Sequence, residues 1–145
     1  MNKWLRYILA TGLVFCLILV RRFENDLFYD PFLAYFKSDF YSIPFPEYNL
    51  GKIILHILFR YFLNSFLTIL IIGLIFWKMK YVKYSAYILI AFLAILLPLY
   101  VYNIETEFKM GENIGFYIRR FLIQPYLLLI LIPAFFYHQQ KTQFN

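Results

Sequence analysis

Arginine is the residue type in this chain best suited to chemistry. Six occur, and five stand at the ends of apolar runs: Arg21, Arg22, Arg60, Arg119 and Arg120. Guanidinium offers a planar fork of donors matched to carboxylate or phosphate, and it keeps its charge at physiological pH. One helical turn after Arg60 comes Asn64, and one turn after Arg120 comes Gln124. Residues four apart share a helix face, so the same polar step occurs twice. The spacing therefore predicts an anion-recognition site made of Arg60, Arg119 and Arg120 with Arg21 or Arg22, supported by Asn64 and Gln124. A peptide carboxylate or a lipid phosphate would suit it. The competing reading is plain anchoring: arginines at helix ends snorkel to headgroups. Glu24, Asp26, Asp30 and Glu47 would then serve as charge partners that fix the adjacent loop.

Other reactive residues say less. Cys16 sits in mid-run with no base beside it and is expected to be a buried, inert thiol; a lone cysteine also excludes an internal disulfide. His56 lies one turn from both Lys52 and Arg60, a setting that disfavours imidazolium and leaves either a base or a polar interfacial histidine. His138 falls in a polar tail and suggests no chemistry. No zinc-protease, nucleophile-elbow or phosphate-loop motif occurs, and carboxylate spacing matches no metal or acid–base pattern. The residues thus assign no catalytic group, no metal and no cofactor.

The elements that must position these arginines are membrane spans. The 145 residues are 63% hydrophobic and 15% charged, against about 45–50% and about 25% for average proteins. The excess is gathered into long runs, which predicts an all-α integral membrane four-helix bundle in a single domain. The spans fall at about 4–20, 55–77, 84–102 and 117–137. The net charge of +6 does not point to nucleic acid, because the basic residues flank apolar runs and fit membrane lipids instead. The first run follows Lys3 and Arg6 like a signal peptide but lacks a cleavage pattern, so it reads as an uncleaved span.

Between the first two spans, residues 21–50 mix carboxylates with ten aromatic rings, as an interfacial segment does. Pro44 and Pro46 close it, and a helix is expected from near Asn49. Lys52, His56, Arg60 and Asn64 then form one polar stripe. Lys78, Lys80 and Lys83 make a basic connection, residues 103–115 a polar loop, and HQQKTQFN a polar tail. A helix confined to 125–137 would be about 20 Å long, too short to span. Pro125 must therefore lie inside the fourth span, freeing the carbonyl of Phe121 for a partner. Four spans put both termini on one side. Basic residues number six there and eight opposite, and Lys3, Arg6 and the compact lysine turn favour a cytoplasmic placement of the termini.

The strings RFENDLFYDPFLAYFK, PEYNLGK, FRYFLNSFL and FYIRRFLIQPYLLLILIPAFFY resemble the exosortase F system-associated membrane proteins of flavobacteria, over residues 21–137 and in order. The resemblance implies a bacterial inner-membrane protein and, as partner, an exosortase-type membrane transpeptidase. Exosortases process proteins with a C-terminal sorting signal, a transmembrane segment and a basic tail. The resemblance carries no catalytic residue across, and the exosortase arrangement of cysteine, arginine and histidine is missing here. The expectation is a non-enzymatic accessory protein of such a sorting system. The alternative is a membrane enzyme or carrier acting on a phosphate-bearing lipid.

Overall fold

The computed structural model of the chain describes residues 1–23, 47–106, 112–123 and 126–144. All regular structure among them is helical: α1 (Lys3–Arg22), α2 (Leu50–Phe76), α3 (Met79–Glu105), α4 (Glu112–Ile123) and α5 (Tyr126–Phe144). Helices α1, α2 and α3 are each long and apolar enough to cross a membrane, and α4 with α5 makes a fourth candidate if that bent pair counts as one span. The chain is a multi-pass membrane protein.

The starts of α1 and α2 and the end of α2 have local causes. The Asn2 and Asn49 side chains accept the backbone N–H groups of Trp4 and Lys52 and so cap α1 and α2. The 27 residues of α2 reach about 40 Å, beyond a hydrocarbon core of about 30 Å, so its first turns extend past the apolar layer. Its far end turns on Trp77, which adopts the left-handed conformation (φ 51°) where glycine or asparagine is usual. Only Trp77 and Lys78 separate α2 from α3. Lys80 and Lys83 therefore lie in the first turns of α3, not in the connection expected for them. The tail is also different: α5 continues through the polar residues to Phe144.

Helix α2 is the hub. It packs against α1, α3, α4 and α5, and it buries ten residues while α1 buries only Ala10 and Leu17. Small residues allow the closest approach: a methyl group added at Gly73 would stand 3.4 Å from the Val82 side chain on α3. Across the α2–α3 seam the Tyr61 hydroxyl donates to the carbonyl of Leu89. At one end of the bundle Phe76, Tyr81 and Phe135 form an aromatic cluster with centroids 4.9–5.7 Å apart. Tyr81 and His138 Nδ1 are hydrogen-bonded there at 3.4 Å. Arg6 near the start of α1 reaches the same end, so both chain termini lie together.

Cys16 corrects an expectation. It is exposed on the outer surface of α1 rather than buried, because α1 is peripheral and turns only a narrow stripe toward α2. Most of the aromatic segment, residues 24–46, lies outside the described residues, as do Gln124 and Pro125.

Candidate functional site

The helix carrying Arg119 ends at Ile123 and a new helix begins at Tyr126, the two axes meeting at 66°. Pro125, expected to lie inside the fourth span, falls between these two helices in the sequence and outside the described residues. Ending a helix leaves carbonyls without an intrahelical donor, and lipid supplies none. Here Asn64 of α2 answers: its Nδ2 donates to the Ile123 carbonyl at 2.9 Å, within the buried interior. The carbonyl served is thus that of Ile123, two residues beyond the Phe121 acceptor that proline geometry alone singles out. Tyr61, Asn64, Ser65, Thr68, Leu89, Phe121, Leu122 and Leu127 close around this junction. They leave a space of about 10 Å³, at the lower limit for one water molecule.

Arg60 and Arg119 each stand one turn back from a member of the Asn64–Ile123 bond. Both are inside the bundle, 2% and 5% exposed, and both engage neighbouring groups. The bond therefore ties together two helices that each carry a buried arginine one turn earlier in the chain. The winding of α2 explains how Arg60 gets there. Steps of four residues drift by about 40° around a helix, so the polar stripe rotates inward as it descends: Lys52 is exposed, His56 half-buried, Arg60 and Asn64 buried. What reads in sequence as one face is a spiral from solvent to core.

The remaining arginines behave differently. Arg120 is half-buried, with its guanidinium carbon 5.7 Å from the Phe116 ring centroid and 5.6 Å from that of Tyr126. Arg21 and Arg22 end α1 and are exposed. They are nonetheless close in level to Arg60. Arg6 contacts Leu74 and Ile75 where the two antiparallel helices begin to pair, and as many residues separate Arg6 from Arg21 as separate Ile75 from Arg60. Each interval is about 22 Å of helix. The structure thus brings Arg60 and Arg119 to the interior, sets Arg120 against aromatic rings, and leaves Arg21 and Arg22 on the outer surface. Glu47 is exposed, while Glu24, Asp26, Asp30 and Gln124 lie outside the described residues.

In sequence, Arg6 reads only as flanking charge. Its Nε donates to Leu74 O at 2.8 Å and a terminal nitrogen to Ile75 O at 2.9 Å, while the guanidinium covers the Trp77 ring at 4.7 Å. A cation on the last carbonyls of α2 also meets the negative end of its dipole. Only the packing of α1 on α2 discloses this; no spacing within either segment does.

Among the described residues there is no group of histidine, cysteine, aspartate and glutamate able to hold a metal ion. Each guanidinium carries five N–H bonds, all of them donors. Comparison with family models, with curated proteins and with solved structures finds no match to this chain.

Proposed function

We propose that this protein is a non-enzymatic accessory component of an exosortase-type sorting system in the bacterial inner membrane, with both termini cytoplasmic. In this reading it contacts the membrane transpeptidase or the membrane segment of the transpeptidase's substrate. The observation that supports a recognition role is the interior placement of Arg60 and Arg119 beside the Asn64–Ile123 bond. Guanidinium in a membrane interior is costly, and charged residues kept there commonly mark sites that bind or move something charged. Two of them, held on rigid helices joined by a hydrogen bond, form a fixed positive centre for an anionic group on a partner.

The partner is the one that the resemblance of residues 21–137 implies, and α1 offers a face for it: Ile8 and Phe15 are exposed on a helix packed on α2. Photo-crosslinkers at Ile8 and Phe15, in cells that carry the transpeptidase, test the contact. A crosslink to the transpeptidase or to its substrate is expected. Arg60→Lys and Arg119→Lys keep the charge and remove the fork, and should impair substrate processing at unchanged protein level. Full processing in both variants, with no crosslink and no co-purification in mild detergent, would refute the proposal. Labelling single cysteines placed at Glu47 and Thr142 tests orientation, the first reacting from outside and the second from the cytoplasm.

A further inference from the structure

The groove between α1 and α5 has one polar end. It is lined by Val14, Leu17 and Ile18 on one wall and by Leu128 and Leu129 on the other, and it holds about 190 Å³. Arg21 and Tyr126 complete the lining. The apolar wall of α1 from Val14 to Arg21 runs about 10 Å, so hydrocarbon contacts lead directly to a guanidinium at the helix end. Arg120 adds a second cation there, because its guanidinium rests against the ring of the same Tyr126. The first turn of α5, which Tyr126 opens, is the positive end of a 19-residue helix dipole.

A second groove lies between α2 and α3, lined by Tyr61, Phe66, Leu89 and Ile90 among others, and is larger at about 270 Å³. Among the described residues its lining has no charged side chain, so it suits hydrocarbon of any kind. The α1–α5 groove differs in joining an apolar channel to a cationic end. That combination matches a molecule with an acyl chain and a phosphate, and such a molecule surrounds any bilayer protein.

We propose that the α1–α5 groove holds one anionic phospholipid as a resident structural ligand, its acyl chain between Leu17, Ile18, Leu128 and Leu129 and its phosphate on Arg21 with Arg120 behind Tyr126. The lipid fills the gap between a peripheral α1 and the helix that follows the break, joining two elements that otherwise meet mainly through α2. This site is separate from the Arg60–Arg119 interior and does not depend on the sorting-system reading.

The full-length chain, taken from bilayers of equal phosphatidylglycerol and phosphatidylcholine, is examined by native mass spectrometry. Wild type should retain one lipid, with phosphatidylglycerol preferred. Arg21→Gln should lower that retention by about fivefold, the worth of one basic residue at an anionic lipid surface, and Arg21→Lys should restore most of it. Arg22→Gln, one residue outside the groove, should leave retention unchanged. Leu129→Trp and Ile18→Trp fill the channel from exposed positions and should expel both lipids. Inorganic phosphate, having no chain, should not displace the bound phospholipid. Loss of the lipid to phosphate, equal losses from Arg21→Gln and Arg22→Gln, absence of headgroup preference, or indifference to both tryptophans would overturn the proposal.

Discussion

Arginine is used in opposite ways at the two levels of this bundle. Near the termini, Arg6 reaches two backbone carbonyls and one indole, and every contact closes the end of a helix. At the level of the helix break, Arg60 and Arg119 enter the core from two helices that Asn64 holds together. The first arginine completes a turn that already exists. The second pair places charge where the bundle would be cheaper to build without it. Removing Arg6 should loosen an edge, whereas removing an interior arginine should disturb the junction on which α4 and α5 are oriented.

The contrast can be broken in graded steps. Arg60→Leu combined with Arg119→Leu should have the largest effect, about 2–4 kcal/mol, because acceptors that served two guanidiniums stay behind in the interior; reversible unfolding in bicelles measures it. A loss under about 1 kcal/mol would mean that neither arginine is structurally committed, which would strengthen the recognition reading. Asn64→Leu comes next at about 1–2 kcal/mol, since the Ile123 carbonyl then has no donor in an apolar setting. Spin-label distances between α4 and α5 should broaden in this variant and remain sharp in the wild type. Arg6→Lys should cost about 1 kcal/mol, a point charge replacing a two-carbonyl fork, with faster proteolysis confined to the Trp77 turn. Smallest is Tyr81→Phe, which removes a long 3.4 Å contact with His138 and should shift stability by less than about 0.5 kcal/mol.

Much of the frame is readable from residue order. Apolar runs announce α1, α2 and α3, and Asn49 before Leu50 announces the capped start of α2. The demand for a donor near Pro125 is also readable, as is the suitability of Asn64 to bond a neighbouring helix. Their pairing is not, because nothing local says that residue 64 lies beside residue 123. The same gap hides the role of Arg6, whose partners are about seventy residues away in the chain. Cys16 departs from its expected burial for a related reason. A residue in the middle of an apolar run faces protein in a soluble core but faces lipid on a peripheral span, and the run is equally apolar in both cases. Four-residue spacing makes the polar stripe of α2 look like a line in sequence, whereas burial from Lys52 to Asn64 follows its drift around the helix.

The Asn64–Ile123 bond also bears on how the chain enters the bilayer. Helix α2 emerges from the ribosome long before residue 123 has been made, so Arg60 and Asn64 must first meet the membrane without their eventual neighbour. An arginine opposes insertion by about 2.5–3.5 kcal/mol at the centre of a span and by less toward its end, where Arg60 lies. The apolar stretch from Phe66 to Phe76, nearly all leucine, isoleucine and phenylalanine, supplies the opposing pull. Helix α2 is therefore built to be inserted early by its second half and assembled late by its first.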